Sequence, residues 1–255
     1  MAASLELIAV PGLPMVEPGQ DLAELVRSAM AAAGLELRDR DVGVFAQKVV
    51  SKSEGRRIDL AGVVPSPRAI EIAAEVRKDP RLVELVLQES KRIVRKIPDV
   101  LIVEHRLGLV MANAGIDQSN VADQSVGEHA LLLPVDPDGS AERLRADFRR
   151  LTGRDVGVVI NDSFGRPWRQ GTVGVAIGCA GLPALVDLRG TPDLFGRTLK
   201  VTVIAYADEI AAAASLLMGQ ATEGRPVVIV RGLEATQPPA PAASIVRDAR
   251  EDLFQ

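Results

Sequence analysis

The spacing of apolar residues changes several times along this chain, and each change marks an element. Leu5 to Val10 is a short apolar run and predicts a strand. A loop punctuated by Pro and Gly, Pro11 to Val16, separates it from a helical stripe over Asp21 to Ala33. There Asp21 stands at the N-cap and Glu24 three residues on. Asp41 to Val50 reads as a strand ending on the polar segment Ser51-Lys52-Ser53-Glu54-Gly55-Arg56. Ser66-Pro67 opens a helix whose apolar stripe is Ala69, Ile70, Ile72, Ala73 and Val76. Pro80 to Lys96 reads as another, with Leu82, Val83, Val86, Leu87 and Ile93 inward. Its Lys91, Arg92, Arg95 and Lys96 form a solvated end where cations favour the helix dipole.

Farther on, Val100 to Glu104 and Leu107 to Ala112 are close enough to form a hairpin, and Ser140 to Thr152 is an amphipathic helix. Val156 to Ile160 is an apolar run of β-branched residues broken only by Gly157, the mark of a buried strand. Gly174 to Gly178, Leu185 to Leu188 and Val201 to Ala205 predict short strands, Asp208 to Met218 an Ala-rich helix, and Pro226 to Val230 a last buried strand. This mixed order predicts an α+β fold with mixed and antiparallel sheets and packed helices, and not a regular βαβ repeat. The main domain spans residues 1–232. Residues 233–255 read as a Pro/Ala-rich extended linker followed by a short charged helix, Ser244 to Phe254, so the chain stops where another module could begin.

Several strands are expected to end on polar residues, and there the chemistry collects. Asp162 and Ser163 follow Val156 to Ile160, with Arg166 and Arg169 close behind. Hard oxygen ligands of this kind hold Mg²⁺ or Mn²⁺, and arginines meet phosphate. The plain alternative is an Asx-type turn with solvated arginines. A second segment, Ala112 to Asn120, delivers Asp117 and Asn120 after another apolar run, and two acids at two strand ends can share one cation. Lys52 ends a third strand, and Met218 to Arg225 adds further ligands. Carboxylates for cations, cations for phosphate oxygens and flexible glycines make up the mixture that phosphoryl transfer needs.

Composition narrows the reading further. With 255 residues, 47% hydrophobic and 25% charged, the chain can bury a sizeable core, and a net charge of −4 gives no bulk attraction to nucleic acid or anionic membranes. The single cysteine, Cys179, excludes an internal disulfide framework and suits packing at a strand end in a reducing cytoplasm. The N-terminus lacks a signal-peptide pattern, and no apolar run reaches the ~18 residues of a membrane span. His105 and His129 read as structural or surface residues, and neither of the two common phosphate loops is present.

Taken together and in order, Gly12-Leu13-Pro14, Lys48 to Arg56, Ala112 to Asn120, Asp162 to Arg169, Ala207-Asp208-Glu209 and Glu223-Gly224 make residues 4 to 232 resemble the GTP-dependent coenzyme F420-0:γ-glutamyl ligases. The resemblance implies that Asp117 and Asp162 hold one divalent cation, Mg²⁺ or Mn²⁺, and that Ser163 helps hold a second. Gln220 and Glu223 both stand as candidates for the second site, and K⁺ is a further cation of the pattern. It also implies that Lys52, Gln47 and Asn120 contact GTP, that the backbone of Leu13, Pro14, Met15 and Val16 and the loop Leu217 to Gly224 complete the nucleotide pocket, and that Asp117, Asp162 and Lys52 serve catalysis. Gln47 departs from the serine of many relatives. The implied partners are coenzyme F420-0, L-glutamate and a second copy of the chain in an intertwined homodimer, for which the apolar stretch Ile210 to Met218 also argues.

The implied reaction matches the residue chemistry. A substrate carboxylate attacks the γ-phosphate of GTP to give an acyl phosphate, and the glutamate amine then displaces phosphate to form an amide. Two other readings compete: a metal-dependent phosphatase or phosphotransferase, in which the same carboxylates activate water or a hydroxyl, and a nucleotide-binding module without turnover.

Overall fold

The fold is a computed structural model that describes residues 4–119, 128–234 and 237–252. A five-stranded sheet organises it, in the order β1 (Glu6–Ala9), β12 (Val227–Arg231), β2 (Val42–Ala46), β8 (Gly157–Arg166) and β9 (Arg169–Ala180). Its pairings are antiparallel except β2 with β8, which run parallel with Val42 opposite Gly157 and Ala46 opposite Asn161. The central strands are apolar without alternation because both faces are covered. Val158, Ile160, Phe45, Val227 and Ile229 face one core with helices α1 (Leu22–Ala32) and α5 (Pro137–Thr152). Val159, Val42, Val44, Val228 and Val230 face the other with α6 (Tyr206–Met218). Successive residues therefore feed opposite layers, as the period of two requires. Phe45 and Phe148 join sheet to α5, their ring centroids 6.0 Å apart.

A second layer pair builds the remainder. Helices α3 (Pro67–Val76) and α4 (Pro80–Gln88) pack on the antiparallel sheet β4 (Ser90–Ile97), β5 (Val100–His105) and β6 (Val110–Ala112) around Ile72, Val76, Val83, Val86, Leu101 and Val103. Two-stranded pairs join β3 (Arg57–Asp59) to β7 (His129–Leu131) and β10 (Val186–Asp187) to β11 (Val203–Ile204). The architecture is α+β, as the mixed element order predicts. The caps hold where expected: Asp21 accepts from the Glu24 N–H, and Ser66 from the Ala69 N–H with Pro67 behind it. Cys179 is buried near the end of β9, and His105 is buried with Nδ1 accepting from the Leu107 N–H.

Four elements differ from the sequence reading. The apolar stretch Asp41 to Val50 is not one strand: β2 stops at Ala46, and Gln47–Ser53 forms helix α2, so Lys52 rides on a helix. The helix read over Pro80 to Lys96 stops at Gln88, and its basic end is strand β4, held by antiparallel pairing to β5. Asp162 and Ser163 do not end a strand, because β8 runs on to Arg166 and turns back as β9 in a long hairpin. Residues 237–252 are strapped down instead of extended. Asp138 accepts from the backbone of Ala242 and Ala243, and single 3₁₀ turns at Ala242–Ile245 and Ala249–Glu251 replace the expected helix, whose end at Phe254 lies outside the described residues. The apolar stretch Ile210 to Met218 is largely consumed within the chain, because Ile210, Ala211, Ala214 and Met218 pack beneath β9.

One buried charge cluster ties the two layer pairs together. Glu89 is 7% exposed and accepts from Arg56 at 3.0 Å and Arg106 at 2.6 Å, with His105 Nε2 3.6 Å away. Burial alone would raise its pKa, but His105, Arg106 and Arg56 outweigh it and hold the carboxyl at about 2, against an ordinary 4.5. A carboxyl lowered on folding contributes stability that is complete above the ordinary value and lost as pH falls through the folded one. Wild type is therefore expected to lose about 2 to 3 kcal/mol through this group as pH drops from about 5 toward 2. Denaturant titrations of wild type and Glu89→Gln at both ends of that window check it. Equal pH dependence in the two proteins would remove Glu89 as the source.

Candidate active site

The parallel pair β2 and β8 sets the site, because two strands running the same way open a crevice beyond their carboxyl ends. From the β2 side, α2 begins at once and carries Gln47, Lys48 and Lys52. From the β8 side come Asp162 and Ser163, and after α6 the loop from Gly219 to Pro226 folds over the same end. Asp117 arrives from the second layer pair through the turn Asn113–Gly115. There three consecutive residues take left-handed φ values of 50°, 54° and 67°. A Cβ on Gly115 would press on Leu133 and Met111, so the turn needs glycine there. Strain of this kind persists where neighbours over-determine it. Here the backbone of Asp117 is clamped by two hydrogen bonds to Leu131, at 3.0 and 2.8 Å.

Together these segments enclose a cavity of about 600 Å³. Leu13, Pro14, Met15 and Val16, Gln47 and Lys52, Asp117, Asp162 and Ser163, and Gln220 and Glu223 all line it. The described residues that the resemblance singled out as ligands, nucleotide contacts and catalytic groups all line this cavity, whereas Arg166 and Arg169 are not among its lining. Asn120 lies outside the described residues.

Hydrogen bonding gives these groups different jobs. Gln47 is 1% exposed; its Oε1 accepts from Ser51, which turns its Nε2 toward Asp117 Oδ2 at 3.4 Å. Gln47 thus steadies an acid. Ser163 donates to Gln220 Oε1 at 2.8 Å, joining β8 to the loop after α6. Glu223 instead accepts from the Ala221 N–H within its own loop, and that bond leads the effects holding its carboxyl low. Of the two, Gln220 touches the acid and hydroxyl cluster.

The sequence reading gave no role to Lys48, which lies 3.2 Å from Asp117 Oδ2 and donates to the Ser119 carbonyl and hydroxyl. Asn161 also lines the cavity without having been given a role, and Thr222 and Arg225 line it as part of the segment Met218 to Arg225 that was selected as a whole. The side-chain oxygen of Asn161 is buried without a hydrogen-bond partner, while its amide donates to Ser215.

The electrostatics of the cavity favour an ionic ligand. Burial pushes the Asp162 carboxyl up to about 6; the Ser163 N–H opposes this, the Asp117 charge adds to it, and Lys48 relieves part of it. Burial likewise leads the effects that lower Lys52 below the usual lysine range, with Lys48 next and Glu17 opposing. Crowded acids and a desolvated ammonium each gain from a partner of opposite sign. No cluster of three or more His, Cys, Asp or Glu side chains gathers among the described residues. The donors at hand are two carboxylates, a hydroxyl and an amide oxygen, all hard. That set fits Mg²⁺ or Mn²⁺, which keep water and take one or two carboxylates together with substrate phosphates.

Comparison with known proteins agrees with the geometry. The family model for F420-0:Gamma-glutamyl ligase matches residues 12–232. A protein of Methanothermobacter thermautotrophicus named coenzyme F420:L-glutamate ligase is 50% identical over 89% of both chains. Proteins of the same name from Methanopyrus kandleri and Archaeoglobus fulgidus are 48% and 45% identical, over 99% and 98% of this chain and 98% and 96% of their own. Among the described residues no helix is long and apolar enough to cross a membrane. A cavity of hard oxygens and cations at the ends of two parallel strands, matched along nearly all of its chain, makes this enzyme a member of the F420-0:gamma-glutamyl ligase family.

Proposed function

We propose that this enzyme uses GTP to join the amine of L-glutamate to a carboxylate of coenzyme F420-0, by way of an acyl phosphate. The observation that carries the reading is the convergence of Asp117 and Asp162 with Lys48 and Lys52 in one cavity closed by two loops. Asp117 and Asp162 would hold one divalent cation, with Ser163 and Gln220 reaching toward a second and Glu223 shaping the loop that presents Gln220. K⁺ is the third cation of the proposal. When bound, the cations supply charge neutralisation and alignment for phosphate oxygens.

The chain's own residues do the rest. Lys52, desolvated at the end of α2, neutralises phosphate oxygens more strongly than an exposed lysine could. Lys48 and Gln47 fix the Asp117 carboxylate before any ligand arrives. The backbone of Leu13 to Val16 and the loop to Gly224 exclude water from the transfer, which otherwise diverts an acyl phosphate to hydrolysis. The carboxylate oxygen bonds to the γ-phosphorus as GDP leaves. The amine then attacks the carbonyl carbon, phosphate departs, and the amine proton passes to solvent. No protein nucleophile is used. A homodimer is part of the proposal, since Leu194, Phe195 and Leu216 stand exposed; light scattering that finds only the 27.1 kDa chain would remove it.

Base choice is the testable step for the nucleotide. Turnover with GTP is expected to exceed that with ATP by about tenfold or more at matched cation, a difference of about 1.4 kcal/mol. Equal rates would overturn the guanine assignment and leave the ligase reading standing.

A further inference from the structure

Ala207-Asp208-Glu209 lies in the first turn of α6 and lines no part of the cavity. Its two acids behave differently. Glu209 is exposed, where its charge favours the positive end of the helix dipole. Asp208 turns toward the sheet instead, and its Oδ1 accepts from the Ala176 N–H on β9 at 2.9 Å. Burial raises its carboxyl above the ordinary range, that N–H opposes the rise, and no cation pairs with it among the described residues. The dipole would be served as well from an exposed position, so the inward turn of Asp208 answers to the strand.

Ala176 stands beside an irregularity in the ladder. Ile160 pairs with Gly178 but Asn161 pairs with Ala176, so Ile177 is an extra residue and β9 bulges there. The packing records the same step. Cys179 and Ala176 both face the core under α6, although residues three apart on a regular strand face opposite sides, and Ile177 and Ala180 both face the other core. The bulge therefore decides which residues of β9 meet α6. With it, Gly174 lies opposite Ser163, where an added Cβ would overlap Ser215 and the Ala211 carbonyl of α6. A one-residue slip that removed it would set Val175 opposite Ser163. Valine has no room where even one added carbon overlaps the helix, so α6 would lift and draw Gln220 away from Ser163. We infer that Asp208 is a positioning residue: by holding the Ala176 N–H beside the bulge it locks the register of β8 with β9 and so keeps Asp162, Ser163 and Gln220 in the arrangement that binds cations. The inference rests on the reading of Asp162 and Ser163 as cation ligands.

The full-length wild type is compared with D208N, D208A and S66A. Amide hydrogen exchange followed by NMR reads the Ala176 N–H, and Mn²⁺ titration followed by electron paramagnetic resonance, without nucleotide, reads the cation site. Asparagine keeps the accepting oxygen, so D208N should protect Ala176 and bind Mn²⁺ within about threefold of wild type. D208A should speed Ala176 exchange about tenfold and weaken Mn²⁺ about tenfold or more, the scale of losing a group that orients metal ligands. D208S, too short to reach the strand, takes its place with the same expected readings if D208A does not fold. S66A removes the cap of α3 in the other layer pair, and it should lower Tm while leaving both readings unchanged. Wild-type Mn²⁺ affinity in D208A would overturn the proposal. Equal losses in D208N and D208A would also overturn it, by making the charge and not the bond the cause, and so would a Mn²⁺ loss in S66A matching that of D208A. Mn²⁺ binding by wild type that ignores D208A defeats this inference alone; a wild type that holds no Mn²⁺ removes the cation reading and this role with it.

Discussion

Asp162→Asn is expected to lower ligation by about a thousandfold or more while the protein stays folded. The side chain lies where burial and the Asp117 charge already make its own charge costly, holding the carboxyl at about 6, so a cation is its natural partner. Asparagine keeps the size of the group and can still accept from the Ser163 N–H, a bond of 2.8 Å in the wild type. It cannot supply the negative charge. If Asp162 served only that local bond, asparagine would replace it at little cost, because the two residues are near-equivalent in such contacts. A thousandfold loss corresponds to about 4 kcal/mol of transition-state stabilisation, the scale of a disrupted cation site. Circular dichroism establishes the fold, and single-turnover ligation at limiting Mn²⁺ gives the rate. A well-folded variant within about threefold of wild type would reject the cation assignment.

Gly174→Ala is expected to damage both stability and activity, through one point of contact. Gly174 lies opposite Ser163 on β9, directly beneath α6. A Cβ built there would overlap Ser215 Oγ, the Ala211 carbonyl oxygen and the buried oxygen of Asn161. Two of these belong to α6, so the helix must lift from the sheet. The Ala-rich sequence of α6 is what allows the normal close approach, with Ala207, Ala211 and Ala214 all fully buried. Overpacking of this kind costs up to about 3 kcal/mol. In a chain of this size that lowers Tm by about 6 to 12 °C. Because α6 leads into the loop that carries Gln220, the shift should also separate Gln220 from Ser163 and weaken cation affinity. Gly165→Ala, on the same hairpin with no atom within 4 Å of the added carbon, serves as the control and should change little. Matching melting curves for the two variants would contradict the packing account.

The sequence disclosed most where one physical rule acted alone. Strands β2, β8 and β12 are apolar on both faces because helices cover both, and runs such as Val156 to Ile160 state that directly. Helix starts at Asp21 and Ser66 announce themselves by their capping groups. The misread elements are those where tertiary pairing decides. Ser90–Ile97 carries basic residues at spacings that a helix tolerates, and it becomes a strand because β5 offers it a ladder. Gln47–Ser53 continues an apolar run, and a buried helical turn cannot be told from a buried strand by periodicity. Residue types located the site better than elements did. Asp117, Asp162, Ser163 and Lys52 meet in the cavity even though Lys52 rides on a helix and Asp162 lies within a strand. Lys48 escaped notice because a single lysine beside apolar residues has no pattern of its own, and its meaning lies in its distance to Asp117.

The most direct test of the account is the dependence of nucleotide turnover on both acceptors. Purified enzyme with Mn²⁺ or Mg²⁺ and GTP is given F420-0, L-glutamate, both or neither, and GDP and amide product are followed together. The account predicts GDP formation only when F420-0 is present, and amide formation equal to GDP when glutamate is added. Phosphate release that is as fast without F420-0 as with it would contradict the account and make the same carboxylates those of a hydrolase.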